Sequence, residues 1–150
     1  MTVKIEKFAE DHLEQVARIE SLCFAHPWSE NSLRAELTNE LARFFAAVDG
    51  ESGTVLGYIG MYAVAGGGYI TNVAVLPEYR KNGIGEMLVK AELECAENED
   101  KLDFVTLEVR PSNTGAIHLY AKNGFKEAGK RKGFYRDPPE DGLIMTVALK

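Results

Sequence analysis

A turn rich in glycine and basic residues is the part of the sequence with the clearest chemical potential. In the segment 72–85, an apolar strand-like run leads to Arg80 and Lys81 and then to Gly83 and Gly85, where a helical pattern begins. The free N–H groups of a helix start, the close backbone approach allowed by glycine and two cations together suit a phosphate group. We therefore expect a diphosphate ligand at this turn.

Two better-known phosphate motifs do not fit the same turn. It contains no Gly-Lys-Ser or Gly-Lys-Thr, as a P-loop requires, and the run 83–88 lacks the third glycine of the dinucleotide fingerprint. An isolated Gly-x-Gly is also typical of a plain helix start with solvated basic side chains. On the turn alone, this alternative stays open.

The cysteines and histidines offer a second, covalent kind of chemistry. Cys23 and His26 lie three residues apart near the end of a predicted helix, so a thiol activated by an imidazole is the alternative to consider. Cys23 and Cys95 both fall in apolar helical series, however, which favours thiols packed in the core. No Cys or His spacing suits zinc, and we expect no metal.

Composition and charge place the chain among ordinary globular proteins. Its 150 residues suit one domain over 1–150, and 45% hydrophobic with 27% charged residues exclude a mainly disordered chain. Seventeen basic against 23 acidic residues give a net charge of −6, which disfavours a surface that coats nucleic acid. Two cysteines and the lack of an apolar signal core after Met1 predict a cytoplasmic protein.

The elements that position the turn follow from the apolar periodicity, which switches between strand and helix along the chain. Helices are predicted around 13–23, from Ser29 to Leu41, from 84 to about 98 and around 117–122. Strands are predicted at 3–8, 43–48, 55–64, 69–75, 104–110, 125–130 and 143–149. The sum is an α+β domain with a mixed sheet, antiparallel in its first half and parallel at its centre.

One uncharged stretch, 55–77, is long enough to cross a bilayer as a helix. Its glycines and Pro77 would cripple such a helix, whereas two strands around the turn 66–68 explain the same residues. We therefore expect a strand pair and no membrane partner.

The glycine turn belongs to a longer pattern that matches a known family. Arg80-x-x-Gly83-x-Gly85 is similar to the acetyl-CoA signature of the GCN5-related N-acetyltransferases (GNAT). The runs 107–113, 116–120 and 124–125 resemble the second half of that family in order and spacing. The resemblance implies the GNAT acyltransferase fold, a central mixed sheet flanked by helices on both faces.

Within that family, two further segments narrow the resemblance. Pro27-Trp28-Ser29 and the pattern from Tyr135 to Met145 are similar to the bacterial ribosomal-protein-alanine N-acetyltransferases. The resemblance covers residues 3–149 and implies acetyl-CoA as cosubstrate. Acetyl-CoA is then the only cofactor that we expect.

The resemblance also implies roles for the residues that match. The pantetheine arm would lie along the strand edge at Val73 and Val75, with Glu108 as general base and Tyr120 as acid for the departing thiol. The rest of the predicted cofactor-binding set is Arg80, Lys81, Asn82, Gly83, Ile84, Gly85, Glu86 and Asn113.

Residue patterns alone leave four of these side chains open to a second interpretation. Glu108 lies on an expected central strand, where an unpaired carboxylate is costly, but it could also be solvated or paired with an arginine at the strand end. Tyr120 falls on the apolar face of its helix, where packing in the core is the default. Trp28 and Tyr135 either pack in the core or shape an acceptor groove, and the resemblance favours the groove.

Acetyl transfer requires a neutral amine, and this requirement bears on the acceptor. At pH 7.5 roughly a quarter of an α-amino group is neutral, against about one in a thousand of a lysine side chain. A modest base acting through water, such as Glu108, is enough for a protein N-terminus. Five acidic residues could make the acceptor cleft negative or could simply be solvated. These are Glu20, Glu36, Glu40, Glu140 and Asp141.

The sequence as a whole predicts acetyl transfer from acetyl-CoA to a protein N-terminal α-amino group by direct attack in a ternary complex. The expected acceptor is the N-terminal alanine of a small-subunit ribosomal protein, with no nucleic-acid partner, and the chain is expected to be a monomer or weak homodimer. The alternatives are a GNAT enzyme acting on a small amine or lysine side chain, and a non-catalytic module that binds acyl-CoA.

Overall fold

A computed structural model describes residues 1–150 as one seven-stranded sheet with α-helices on both of its faces. The strands are β1 (Val3–Lys7), β2 (Phe45–Asp49), β3 (Val55–Val64), β4 (Gly67–Val75), β5 (Phe104–Val109), β6 (Lys126–Tyr135) and β7 (Glu140–Ala148). The helices are α1 (Leu13–Cys23), α2 (Glu30–Glu36), α3 (Ile84–Glu94) and α4 (Thr114–Lys122). Across the sheet the strands follow the order β1-β2-β3-β4-β5-β7-β6.

Side chains alternate between the two faces of each strand, so both faces of the sheet carry apolar side chains. Different helices cover the two faces. Helices α1 and α2 cover one face and bury Leu13, Val16, Ile19 and Leu33 there. Helices α3 and α4 cover the other face and bury Ile84, Leu88, Val89 and Tyr120. The predicted α+β architecture with helices on both faces is confirmed.

Helix α2 begins where the sequence predicts and ends earlier. The hydroxyl of Ser29 accepts the N–H of Ser32 at 3.1 Å, which is the expected N-cap. The helix stops at Glu36 instead of reaching Leu41, whose side chain is exposed. After Glu36 the main-chain bonds tighten to the i→i−3 type, as from Thr38 to Ala35, and the side-chain oxygen of Asn39 then accepts the N–H of Leu41 at 3.0 Å in place of a helical bond.

The uncharged stretch 55–77 forms the antiparallel pair β3 and β4, as expected. The turn between them places Gly66 at φ 84°, in the left-handed region that favours glycine. The longest α-helices, α1 and α3, have 11 residues each, and no helix has the length and apolar character needed to span a bilayer.

Strands β4 and β5 are parallel, as predicted, but they pair over only part of their length. The residues 67–69 of β4 pair with 104–106 of β5, and the pairing then stops. Both strands nevertheless continue, β4 to Val75 and β5 to Val109. The sheet therefore opens into a wedge at its centre.

A β-bulge accounts for the place at which the wedge opens. In the antiparallel register Gly60 pairs with Asn72 and Met61 pairs with Ile70, which leaves Thr71 without a partner. An unpaired residue bends its strand and increases the local twist. Thr71 lies just after the last paired residues of β4 and β5, so the bend turns the rest of β4 away from β5.

The last two strands pair as predicted but are longer than the sequence indicates. The prediction ended the first strand at Lys130 and began the second at Leu143, whereas β6 continues to Tyr135 and β7 begins at Glu140. Strand β6 lies at the sheet edge with mostly exposed side chains, so no apolar alternation marks its second half. Strand β7 is inserted between β5 and β6, a non-local pairing.

Candidate active site

The wedge between β4 and β5 is a cavity of about 470 Å³, which we call the wedge cavity. Its walls come from the separated strands, the loop after α1, the start of α4 and the end of β6. The sequence-predicted site residues that line it are Trp28, Val73, Glu108, Asn113, Tyr120 and Tyr135. The fold thus brings the proposed base, the proposed acid and both predicted groove residues to one space.

Glu108 presents one occupied and one unoccupied carboxylate oxygen. Its Oε1 lies 3.2 Å from Nη2 of Arg131, while its Oε2 is buried and has no hydrogen-bond partner. A buried acceptor without a donor is costly and ready to bind one. The arginine pairing considered from the sequence therefore exists, and it leaves one oxygen free to accept a proton or a hydrogen bond in the cavity.

Tyr120 is buried and packs against Phe125, with ring centroids 5.7 Å apart. Burial raises the pKa of Tyr120 to about 12, with a smaller contribution from Tyr135. The phenol is therefore protonated throughout the neutral range and can donate a hydrogen bond. Tyr120 is therefore both a core residue and a residue that lines the wedge cavity.

Tyr135 lines the wedge cavity, and its ring is in contact with the guanidinium of Arg110. The guanidinium carbon of Arg110 lies 4.4 Å from the Tyr135 ring centroid, and its Nη1 donates to the carbonyl of Pro138 at 2.8 Å. Glu140 pairs with Arg110 and accepts the N–H of Ser112 at 2.7 Å, and hydrogen bonds from Ser112 lower the pKa of Glu140. Burial raises the pKa of Tyr135.

Trp28 serves both as a packing residue and as a wall of the wedge cavity. Its ring packs on Phe44 with centroids 6.2 Å apart, and the residue also lines the cavity. Tyr135 lines the same cavity. The predicted groove residues therefore flank the same space.

Glu20 is one of the five acidic residues that the sequence offered as possible sources of negative charge in the acceptor cleft, without an individual role. It is fully buried, lines the wedge cavity and accepts the N–H of Trp28 at 2.8 Å through Oε1. Its Oε2 accepts the Tyr58 hydroxyl at 2.6 Å and Nδ2 of Asn72 at 3.1 Å. The available signal was its position four residues after Val16, on the apolar face of α1.

A second cavity of about 750 Å³ lies at the glycine turn, and we call it the turn cavity. Lys81 and Gly83 both have left-handed backbones, at φ 66° and 77°, and α3 begins without a side-chain cap. Alternating right- and left-handed residues at a helix start direct N–H groups into a concave anion site. Lys81 lines this cavity and forms no ion pair, which fits the predicted diphosphate.

Three residues of the predicted set support the turn through packing or loop contacts. The side chain of Asn82 donates to the carbonyl of Tyr79 at 2.9 Å and braces the loop. Ile84, the first residue of α3, is buried in the core. A Cβ atom at Gly85 would lie 3.3 Å from Cδ2 of Leu119, so glycine keeps α3 close to α4.

Two charged residues of the predicted set already have protein partners. Nε of Arg80 donates to the carbonyl of Val75 at 3.1 Å, and its Nη2 lies 3.5 Å from Sγ of Cys23. Glu86 pairs with Lys122 at 3.2 Å, and this hydrogen bond lowers the pKa of Glu86. Both residues line the turn cavity. Glu86 has a main-chain N–H in the first turn of α3, and Arg80 lines the cavity with its guanidinium already engaged.

The Cys23 and His26 alternative has no geometric support. His26 pairs with Asp137 at 2.5 Å, and the half-buried Cys23 packs against the core and also lines the turn cavity. Cys95 is buried, and burial raises its thiol pKa. No group of three or more metal-ligating side chains exists.

The two cavities meet at a shared wall formed by Phe24, Val73, Asn113 and Tyr120. Asn113 caps α4 by accepting the N–H of Ala116 at 3.2 Å, which leaves its side-chain amide nitrogen free. An anionic carrier in the turn cavity and a nucleophile in the wedge cavity would therefore come together beside Tyr120. This arrangement suits group transfer from one to the other.

The family comparison agrees with this geometry, since the model of the acetyltransferase (GNAT) family matches residues 13–125. The chain belongs to the GNAT family. A relative from Bacillus subtilis (strain 168), named provisionally as a [ribosomal protein bS18]-alanine N-acetyltransferase, is 35% identical over 139 residues, 93% of this chain and 91% of that protein.

Two solved structures resemble the whole chain. The ribosomal-protein-S18-alanine N-acetyltransferase from Escherichia coli has a TM-score of 0.88 and 28% identity, over 99% of this chain and 95% of that one. A chain of the NatC complex bound to Gag peptide and CoA has a TM-score of 0.85 and 25% identity, over 100% of both chains. The predicted family and fold are confirmed, and the chain is an N-acetyltransferase of the GNAT type.

Proposed function

We propose that the chain transfers an acetyl group from acetyl-CoA to the N-terminal α-amino group of a protein. The observation that carries the proposal is the junction of the two cavities, with Glu108 Oε2 unpartnered on one side and the turn of α3 on the other. An anion site, a base and a hydrogen-bond donor around one point are what direct acetyl transfer requires.

On the acceptor side, Glu108 removes the proton that the attacking nitrogen must lose. The new N–C bond forms while the C–S bond of the thioester breaks, and one N–H proton leaves toward Oε2 of Glu108, directly or through water. Arg131 holds the other oxygen at 3.2 Å and so fixes the carboxylate. Because an α-amino group is already partly neutral at pH 7.5, a carboxylate is a sufficient base.

On the leaving-group side, Tyr120 donates a hydrogen bond to the departing sulfur. Its pKa of about 12 makes complete proton transfer to a thiolate, whose ordinary pKa is near 8.5, unfavourable. Stabilisation by the hydrogen bond is therefore the larger part of its role, and the proton that completes the thiol comes finally from solvent.

The turn cavity supports binding of the carrier. The diphosphate of acetyl-CoA would lie against the N–H groups at the start of α3 beside Lys81, and Asn113 would contact it through its free amide nitrogen. After the bulge, Val73 of β4 has no partner on the side that faces β5, and this free strand edge would face the pantetheine arm. The carbonyl of Val75 is already bonded to Arg80.

For the acceptor we propose the N-terminal alanine of a small-subunit ribosomal protein. The names of the Bacillus subtilis and Escherichia coli relatives support this choice, since both refer to the alanine of ribosomal protein S18. Trp28 and Tyr135, which both line the wedge cavity, would contact the first residues of the peptide.

The experiment compares acetylation of three acceptors by the purified protein. They are a peptide with the N-terminal sequence of the ribosomal protein, the same peptide with a blocked N-terminus and an internal lysine, and spermidine. We expect the free N-terminal peptide to be acetylated with kcat/KM at least about a hundredfold above the other two. Mass spectrometry would locate the added acetyl group of about 42 Da.

Two results would contradict the proposal. Faster acetylation of spermidine or of the internal lysine would assign the chemistry to a different amine. Binding of CoA without turnover on any amine would assign the chain to a non-catalytic acyl-CoA module. In cells lacking the chain, the corresponding ribosomal protein should lose about 42 Da.

A further inference from the structure

Glu20 connects four parts of the fold beneath the wedge cavity. It projects from α1 and accepts three hydrogen bonds, from the main chain of Trp28, from Tyr58 on β3 and from Asn72 on β4. All three partners are donors, which is the pattern that a carboxylate requires. Burial, followed by the neighbouring Glu20, raises the pKa of Tyr58, so its hydroxyl remains a donor. Oε1 accepts one bond and has room for another.

The charges around the wedge cavity leave Glu20 without a cation. Glu108 pairs with Arg131 at 3.2 Å, and Arg110 pairs with Glu140 at 3.4 Å. Glu20 forms no ion pair, although it is fully buried.

The remaining cationic groups of the wedge cavity lie at its rim. His26 pairs with Asp137 at 2.5 Å, and Arg136 is exposed in the loop after β6. Neither pairs with Glu20. Glu20 is therefore a buried carboxylate with no cation paired to it.

Neutral donors satisfy the hydrogen bonds of a carboxylate without cancelling its charge. In a partly desolvated space, that charge acts over a longer distance than it would in water. A buried anion without a partner is costly, and a ligand cation that enters the cavity removes part of the cost. An α-ammonium group is such a cation, and it is the major form of a protein N-terminus at neutral pH.

We propose that Glu20 is the specificity-determining residue that makes the wedge cavity bind its acceptor as an ammonium ion. The inference rests on the proposed acetylation of a protein N-terminus and deepens it. Binding and deprotonation then belong to different carboxylates: Glu20 attracts the charged amine, and Glu108 removes its proton at the carrier. Losing the charge of Glu20 affects mainly KM for the acceptor.

The test measures binding without turnover, by calorimetry on protein saturated with CoA. The probes are the N-terminal peptide with a free amino group and the same peptide carrying an N-acetyl group, which differ in that positive charge. We expect wild type to bind the free peptide about tenfold more tightly than the acetylated one. Glu20→Gln should reduce this preference to about twofold or less by weakening only the binding of the free peptide.

Tyr58→Phe is the matched control, since it removes one hydrogen bond from Glu20 and leaves the charge. If Glu20 has only a structural role, both variants would weaken the two peptides equally. Retention of the tenfold preference by Glu20→Gln would overturn the proposal. If Glu20→Gln does not fold, equal binding of the two peptides by wild type would overturn it as well.

These outcomes are separable from the failure of the proposed function. If wild type acetylates no peptide N-terminus, the proposed function fails whatever the binding preference is. If wild type acetylates the peptide and Glu20→Gln keeps the charge preference, only the role of Glu20 fails. A rise in the acceptor KM of Glu20→Gln with an unchanged KM for acetyl-CoA supports the inference.

Discussion

Glu20 and Glu92 are both fully buried, on opposite faces of the sheet, but they differ in their surroundings. Glu20 on α1 accepts three hydrogen bonds and borders the wedge cavity. Glu92 on α3 has no hydrogen-bond partner for either oxygen. The nearby cation Arg43 donates to Asp100 from Nε at 2.9 Å and from Nη2 at 3.0 Å, so it is already engaged.

The difference shows what a buried carboxylate costs and what it can provide. Desolvation raises the pKa of Glu92 well above its ordinary 4.5, because burial disfavours the charged form and Arg43 offsets only part of this. Glu20, by contrast, accepts three hydrogen bonds and borders the wedge cavity. We infer that the carboxylates of the wedge cavity serve in acceptor binding and proton removal. Glu92, by contrast, lowers the stability of the fold and has no part in turnover.

The largest expected effect is on turnover, from Glu108→Gln. Removing the base should lower kcat for the N-terminal peptide by about a hundredfold, because general bases contribute roughly that much and a quarter of the amine is already neutral. The KM for acetyl-CoA and the melting temperature should change little, since Oε2 has no partner to lose and the ion pair of Oε1 with the exposed Arg131 contributes little to stability. Steady-state kinetics with both substrates measures this.

Glu127→Gln is the matched control for that substitution. Glu127 is an exposed carboxylate on β6 that lines neither cavity, so its removal changes the net charge equally. If the two variants have the same kcat, Glu108 is not the base, and the comparison of functional with structural carboxylates breaks down.

Tyr120→Phe should have the next largest effect. Loss of the hydrogen bond to sulfur should lower kcat by about ten- to a hundredfold and leave acetyl-CoA affinity within about threefold. Because the pKa of Tyr120 is about 12, wild-type kcat should not fall between pH 8 and about pH 10 through loss of this proton. An alkaline fall in that range that disappears in Tyr120→Phe would instead indicate a phenol with a lower pKa.

Glu92→Leu should have the smallest effect on activity and a clear effect on stability. Replacing a buried, unpartnered carboxyl group by an apolar side chain should raise the free energy of unfolding at pH 8 by about 1–3 kcal/mol, measured by urea unfolding. The folded chain binds the Glu92 proton more tightly than the unfolded chain does. The contribution of Glu92 to the free energy of unfolding therefore falls as the pH rises above 4.5 toward the raised pKa.

The gain from Glu92→Leu should accordingly grow with pH across that range and be smallest below pH 4.5. Glu92→Gln removes the charge and keeps two polar atoms, so it should show a smaller gain. A variant that is less stable than wild type at pH 8, or one that loses acetyl transfer, would mean that Glu92 has a function after all.

Much of the site followed from sequence because its parts are local. The glycine turn combines a strand end, two cations and a helix start within 14 residues, and the order of Glu108, Asn113 and Tyr120 matches a family pattern. The meander of β2, β3 and β4 followed from alternation and glycine turns. Such features need no knowledge of distant contacts.

The parts that the sequence did not give depend on non-local contacts. The bulge at Thr71 exists only in the pairing of β3 with β4, and nothing in the run 69–75 indicates it. Glu20 lies at helical spacing from apolar residues, but its burial, the burial of Glu92 and the donors around Glu20 depend on distant elements. Helix α2 ends at Glu36 although Leu37 and Leu41 continue its apolar spacing, and the N–H of Leu41 bonds the Asn39 side chain instead of a helical carbonyl.

The division of the cavity walls has an evolutionary consequence. Phe24, Val73, Asn113 and Tyr120 touch both cavities, so a substitution at any of them disturbs donor and acceptor together and selection should hold them nearly fixed. Positions that belong to the wedge cavity alone can drift without harm to the carrier. A lineage that acquires a new acceptor should therefore differ first around Trp28 and Tyr135.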